Sequence, residues 1–338
     1  MYHGGVDWHW GQSSVTLRNS DGKKTHQFDV QGRIERVVEE IKKLDLKEPL
    51  SLCFEASTGY GHVAEVMRTV AARVRVGHPG KIRMIFKCRR KSDRIDSDKL
   101  SKLDFLDEVP EVYVPKPDTR AWRGMINYRS RRVTERSGVK SALRAHFRNC
   151  GLEMPKSPWT KKGMAAVKEV EFPEKLDALR RDEMVDEIES LTKKIKHIEA
   201  ELNALGREHP GVQLLETIPG VGPRTAEAVV AWIDDPQRFS SSRKGGAYFG
   251  LVPCMDQSAG PARMGHITKE GPGVVRGLLV EASWQAIRRS ATIRARFKRI
   301  RKEDPKRTKI AIVAIANYLA RVMVAMLTTG EVWRGEGD

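Results

Sequence analysis

The chain is poor in cysteine and short of acid. Its four cysteines, Cys53, Cys88, Cys150 and Cys254, form no C-x-x-C pair. That spacing argues against a zinc-ribbon site and a disulfide framework, and it leaves reduced, mostly buried thiols as the expectation. No glycine-rich P-loop ending in Gly-Lys-Ser/Thr occurs, so nucleoside triphosphate chemistry is not expected. A secretory signal pattern is missing from the start, where Asp7 and His9 interrupt the first apolar run. Only one apolar stretch, Ile310 to Leu327, has the length of a membrane span. It carries Asn317 and Arg321 and reads instead as a buried core helix, because an arginine at mid-span is costly in lipid. A cytoplasmic protein without a membrane partner is therefore expected.

What is abundant is positive charge. Lys and Arg number 61 against 44 Asp and Glu, giving a formal charge of +17 and a pI near 9.8. Such an excess attracts polyanions, nucleic acid foremost. At 338 residues, 40% of them apolar, the chain has material for a sizeable core and more than one domain.

Strand patterns over Gly5–Trp10, Ser13–Leu17 and Thr25–Val30 precede a helical face of Ile34, Val37, Val38, Ile41 and Leu44. Strand Leu50–Glu55, a helix around His62–Ala72, strand Val74–Val76, a helix over Asp96–Leu106 and strand Glu111–Val114 follow. Three strands and then alternating strands and helices predict an α/β layer. Farther on, Met184, Ile188, Leu191, Ile195, Ile198, Leu202 and Leu205 keep a heptad seam that Gly206 should end. The seam predicts an antiparallel hairpin or a joint between protomers. The organisation is then an α/β domain with a basic helical end over 1–150, a coiled-coil helical segment over 151–208, and a mainly α-helical domain over 209–338.

Four acids have a suggestive placement. Asp7 and Glu55 lie in apolar runs, where an unpaired carboxylate is costly. Asp93 and Asp96 stand three residues apart and share one helical face, whereas Asp98 points elsewhere. Carboxylates at strand ends suit a hard divalent cation, Mg²⁺ or Mn²⁺. Two such ions can clamp the attacking and leaving oxygens of a phosphodiester. The bland alternative for each acid alone is a solvated surface charge.

Residues 120–148 turn basic, with Arg123, Arg129, Arg131, Arg132, Arg136, Lys140 and Arg144 among the cations and Trp122, Tyr128 and Phe147 interleaved. This reads as a phosphate-backbone surface, with a solvated helix face as the alternative. The run Leu214 to Ala226 holds Ile218-Pro219-Gly220-Val221-Gly222-Pro223-Arg224 and looks like a helix-hairpin-helix. There the backbone around Gly220 and Gly222, with Arg224 beside it, could approach a phosphate. A purely structural hairpin is the alternative. Ser258 sits in a polar loop flanked by Arg263, His266, Lys269 and Arg276, which makes it a candidate nucleophile. The Ser240-Ser241-Ser242 run is the fallback, although Arg243 and Lys244 beside it fit a phosphate contact better.

As a set, these motifs resemble the DEDD transposases of the insertion sequence one-ten family, which are bridge-RNA-guided recombinases. The resemblance is carried in order by Gly5-Val6-Asp7, Phe54-Glu55-Ala56-Ser57-Thr58-Gly59-Tyr60, Lys91-Ser92-Asp93-Arg94-Ile95-Asp96, Ile218-Pro219-Gly220-Val221-Gly222, Gly250-Leu251-Val252-Pro253, Ser258 and Gly265-His266-Ile267-Thr268-Lys269-Glu270-Gly271. It departs where Ala259 separates Ser258 from Gly260, and where Trp8, His9 and Trp10 follow Asp7. The resemblance implies a RuvC-like domain of the ribonuclease H superfamily with Asp7, Glu55, Asp93 and Asp96 as metal-binding acids. A coiled-coil insert and a transposase domain with Ser258 as DNA nucleophile would follow. It also implies donor and target DNA, a structured guide RNA, and a homo-oligomer, dimer or tetramer, in which the serine meets another subunit's acids. Two rivals stand beside it: a metal-only endonuclease of the Holliday-junction type, and a non-enzymatic RNA-binding protein.

Overall fold

Leu50–Glu55 is buried at every position but the last, and such a strand needs cover on both faces. It becomes β4, the fourth of five strands: β1 (Tyr2–Trp8), β2 (Gln12–Arg18), β3 (Lys24–Gln31), β4 and β5 (Arg73–Gly77). The sheet order is β3-β2-β1-β4-β5. Strand β2 runs antiparallel to both β1 and β3, and β4 and β5 run parallel to β1. The computed structural model describes residues 1–85, 92–256 and 263–335, and it divides into two units, Met1–Pro117 and Asp118–Asp338.

In the first unit the side chains of β1 and β4 alternate between two covers. Val6, Leu50, Leu52 and Phe54 join Ile34, Val37 and Ile41 of α1 (Ile34–Lys43) and Val63, Ala64 and Met67 of α2 (Tyr60–Met67) in one core. The opposite face of β4 meets α3 (Pro79–Ile85) and α4 (Asp93–Phe105), where Cys53 packs with Ile82, Leu100 and Leu103. Helix α4 lies directly on β1. A Cβ on Gly5 would stand 2.0 Å from the Ser97 carbonyl oxygen, so only glycine allows this approach. At the far end of α4, buried Asp104 accepts hydrogen bonds from Ser51 Oγ at 2.9 Å and His3 Nδ1 at 2.8 Å. Arg75, also buried, lies 3.7 Å from Asp104 and bonds Asp107 and Glu111.

Three sequence expectations change here. Glu111–Val114 is no strand but a single bridge between Gly77 and Glu111, because Pro110 and Pro115 lack the donors a ladder needs. The helix expected to reach Ala72 ends at Met67, and α3 was not foreseen.

The second unit is mainly helical. It contains α5 (Pro117–Asn149), whose first residue closes the other unit, then α6 (Lys161–Glu169), α7 (Lys175–Glu208), α8 (Pro210–Glu216), α9 (Pro223–Ile233) and α10 (Lys244–Tyr248). A two-stranded hairpin of β6 (Pro253–Asp256) and β7 (Arg263–Ile267) precedes α11 (Gly273–Arg289), α12 (Ala291–Arg301) and α13 (Thr308–Thr329). The heptad positions Ile188, Leu191, Ile195, Ile198 and Leu202 are buried. Helix α7 pairs antiparallel with α5: Arg129 bonds Glu199, Arg136 bonds Thr192, and Leu143 and Phe147 pack with Val185 and Ile188. Gly206 does not stop the helix. It lies buried two residues inside the end, with Val212 alongside.

Helix α13 is long and apolar enough to cross a membrane by length and composition. Its Ile312, Ile315, Leu319 and Met323 nevertheless lie in the core of this unit against α9 and α11. The thiols differ from expectation. Cys53 is buried, and burial pushes its pKa up. Cys150 is only half-buried, and Cys254, on the two-stranded β6–β7 hairpin, is exposed. Cys88 lies outside the described residues.

Candidate functional site

The acids meet at one end of the first sheet, and strand periodicity puts them there. Side chains at His3, Gly5 and Asp7 leave β1 on the α4 side, as do Ser51, Cys53 and Glu55 from β4. Because β1 and β4 are parallel with Val6 opposite Phe54, Asp7 and Glu55 come level at adjacent strand ends. Helix α4 starts over the same edge. Ser92 Oγ caps it by accepting from the Ile95 amide at 3.3 Å, and Asp93 and Asp96 occupy its first turn, where carboxylates suit the helix dipole.

Ligand atoms of Asp7, His9 and Asp93 lie within 4.8 Å of one another, and His9 Nε2 is 3.7 Å from Asp7 Oδ1. Burial pushes the Asp7 pKa up to about 6. His9 pulls it down, while Asp93, Asp96 and Glu55 push it further up. All four acids therefore share one electrostatic site. Asp96 is also held by Lys99 Nζ at 2.7 Å, a cation that would have to yield if Asp96 turned towards Asp7. Asp98 points away, bonded to Arg18 at 2.6 Å and flanked by Lys24 and Lys102. His9 is the residue that sequence reasoning did not assign. Its only signal was the unusual Trp8-His9-Trp10 after Asp7. Carboxylates that repel one another around a partly buried Asp7, with one imidazole beside them, form a donor set that fits a divalent cation.

The basic helix α5 spends most of its charge inside its own unit. Arg123 donates to the Ala231 and Trp232 carbonyls at the end of α9, at 2.7 and 3.0 Å. Arg129 pairs with Glu199, and Arg132 pairs with Glu135 and lies over Tyr128. Arg136 donates to Thr192 at 3.2 Å. Lys140 and Arg144 stack on Trp159, and burial lowers the Lys140 pKa. Arg131 and Arg144 remain exposed.

In the glycine turn, Gly220 has φ +92° and packs against α11, where a Cβ would stand 2.4 Å from the Ala286 amide nitrogen. Gly222 is open and caps α9. Arg224 turns inward to Asn203 and, at 3.2 Å, to Glu227, and burial lowers its pKa. Glu227 is buried, which pushes its pKa up to about 8.

Ser258 falls between β6 and β7 and lies outside the described residues, as do its neighbour Gln257 and the Arg263 side chain. His266 and Lys269 are exposed, and Lys269 has φ +56°. Arg276 donates to the Phe249 and Glu270 carbonyls, both at 3.1 Å, and so braces the loop that follows the hairpin.

Two family models match the chain. Residues 4–151 match a DEDD transposase model of the IS110 type, and residues 212–298 match the model described as the transposase IS116/IS110/IS902 family. A Pseudomonas aeruginosa protein named "Probable family 20 transposase" is 26% identical over 329 residues, spanning 91% of this chain and 95% of its own length. The transposase for insertion sequence element IS1328 of Yersinia enterocolitica is 26% identical over 294 residues, 84% of this chain and 86% of that one. The transposase for insertion sequence element IS1111A of Coxiella burnetii is 30% identical over 166 residues, 47% of this chain and 41% of that one.

Proposed function

Because the chain belongs to the IS110 family of DEDD transposases, and is thus a DNA transposase, we propose that it exchanges DNA strands through a phosphoserine on Ser258. The observation that supports the metal-assisted part of this reading is the convergence of Asp7, His9 and Asp93 within ligand distance, with Glu55 and Asp96 acting on the same carboxylate; Ser258 rests on the resemblance alone. The strand order and directions of the sheet support a RuvC-like, ribonuclease H type domain within 1–150. A helical insert over 151–208 and a transposase domain over 209–338, with the α8–α9 turn as its helix-hairpin-helix, complete the proposed division.

Asp7 and Asp93 would hold Mg²⁺ or Mn²⁺, with Glu55 and Asp96 completing the shell. A bound divalent cation would supply positive charge to the phosphate during displacement. Ser258 Oγ would form a bond to phosphorus as the bond to the departing DNA hydroxyl breaks. The phosphodiester energy is then kept for rejoining, and no nucleotide hydrolysis is required. His266 on β7 and Lys269 after it, both exposed, would meet phosphate oxygens. The serine of one subunit would work with the acids of another, in a dimer or tetramer. A structured RNA would pair with donor and target DNA and so set the sequence choice, in the cytoplasm where all three meet.

The test is Ser258→Ala. Loss of strand exchange and of the covalent protein–DNA adduct, with nucleic-acid binding retained, supports the reading. An adduct on another residue, or exchange at the wild-type rate, overturns it and leaves the metal-only endonuclease.

A further inference from the structure

The charge that α5 spends internally is left unspent elsewhere in the second unit. Helix α12 reads Ala-Thr-Ile-Arg-Ala-Arg-Phe-Lys-Arg-Ile-Arg. Ile293 and Phe297 face inward, and Ser290 Oγ caps the helix by accepting from the Ile293 amide. Three of its arginines are structural. Arg294 donates to the Ile287 and Arg288 carbonyls and fixes the corner with α11, Arg296 lies over Tyr318 at 4.1 Å, and Arg301 reaches the Phe297 ring. The remaining cations are a different population. Arg288, Arg289, Lys298, Arg299, Lys302 and Lys306 are all exposed, and none makes an ion pair among the described residues. The only acids between residues 286 and 310 are Glu303 and Asp304, and Asp304 is occupied in capping the Lys306 amide.

Cations in the last turn of a helix ease its dipole, which accounts for one or two of them. It does not account for six, because neighbouring like charges on a helix repel and cost stability. Resolving that repulsion calls for a polyanion. We propose that the α11–α12 corner and the turn after it form a docking surface for the phosphate backbone of duplex DNA, bound without regard to sequence. This rests on the reading of the chain as a DNA transposase and adds where the DNA lies.

The chemistry favours duplex DNA over the other nucleic-acid modes. Of the rings here, Phe297 is buried, Tyr318 lies under Arg296, and Trp284 leans on Phe297 with 37% of it exposed, so one partly covered ring stands against six exposed cations. The exposed positions of α12 are Ala291, Arg294, Ala295, Lys298 and Arg299, none with a hydroxyl or amide to sense a ribose 2′-hydroxyl, although Gln285 is exposed on α11 one turn before Arg288. Phosphate contact is what such a surface offers, and it positions DNA without reading it.

The test compares Lys298→Gln/Arg299→Gln/Lys302→Gln with a control that removes two exposed α7 cations, Lys193→Gln/Lys194→Gln. Full-length protein is titrated with fluorescent duplex DNA of two unrelated sequences and with the matching RNA duplex, across a range of salt. The triple variant is expected to keep its melting temperature and to lose about tenfold or more in affinity for both DNA sequences. The slope of log affinity against log salt should fall by about 2 to 3, one ion-release increment per lost phosphate contact. The control should change far less. Equal losses in both variants, an unchanged slope, or a loss confined to the RNA duplex would overturn the assignment. Binding is the readout, so failure of the proposed Ser258 chemistry would show in strand exchange and leave this result untouched.

Discussion

Gly5 and Ser97 meet backbone to backbone, and that contact sets the height of α4 over the acidic edge. A Cβ at Gly5 would also stand 2.3 Å from the Ser101 amide nitrogen. Neither backbone group can swing aside. Gly5→Ala should therefore lift α4 and carry Asp93 and Asp96 away from Asp7. The expected result is a loss of stability of about 1–3 kcal/mol, the usual range for overpacking. A fall in divalent affinity of about tenfold or more should accompany it, as when a ligand's support is removed. Unchanged affinity would mean that α4 does not position the ligands.

Asp7 should make the metal-free protein pH-sensitive. Its folded pKa of about 6 stands above the ordinary 3.8, so the folded state holds this proton longer than the unfolded one. The stability contribution is fully present below pH 3.8, is lost as pH rises through 6, and is flat above. Asp7→Asn should raise metal-free stability at pH 7.5 by about 2 kcal/mol and leave it nearly unchanged at pH 4. Urea melts at the two pH values check this. A destabilised Asp7→Asn protein at pH 7.5 would contradict it.

Glu227 carries the same sign in the second unit over a higher window. Burial holds its pKa near 8 against an ordinary 4.5, with Arg224 pulling the other way. Glu227→Gln keeps the shape of the protonated acid and removes the ionisation cost. It should raise Tm by about 2 °C or more above pH 8 and change it little below pH 4.5. A difference from wild type that grows toward low pH would be the wrong sign.

The Asp104 network should behave as a buried clamp. Asp104→Ala strands His3, Ser51 and Arg75 at once, and removing one partner of a buried charge cluster costs about 3 kcal/mol or more. Chemical denaturation measures this directly. A loss below about 1 kcal/mol would show that Arg75 is satisfied by Asp107 and Glu111 alone.

Much of this was legible in the chain, and the reasons differ by element. The strands β1 to β4 follow from short apolar runs bounded by turn residues, and helix α1 from its period-3.6 face, with Ile34, Val37, Val38 and Ile41 buried. The placement of Asp7, Glu55, Asp93 and Asp96 at one edge was readable because strand ends and an i,i+3 pair are local properties. The fate of the α5 arginines was not. Their partners lie far along the chain, with Arg136 and Thr192 56 residues apart, Arg129 and Glu199 70, and Arg123 and Ala231 108. No local pattern separates a cation that bonds a distant carbonyl from one left for a ligand. Gly206 misled for a related reason: α7 continues through it because Val212 packs alongside, so tertiary contact outweighs the helix-stop signal. His9 escaped because its approach to Asp7 depends on the strand end and not on a ligand spacing.

The central claim is that the acids form a divalent-cation site, and manganese binding tests it most directly. Metal-free protein is titrated with Mn²⁺ at pH 7.5, and free ion is followed by electron paramagnetic resonance in wild type, Asp7→Asn, Asp93→Asn and Asp98→Asn. One or two ions should bind per chain. Affinity should fall about tenfold or more in the first two variants and stay near wild type in the third, because Asp98 belongs to Arg18. Equal binding by wild type and Asp7→Asn, or a loss only in Asp98→Asn, would contradict the account.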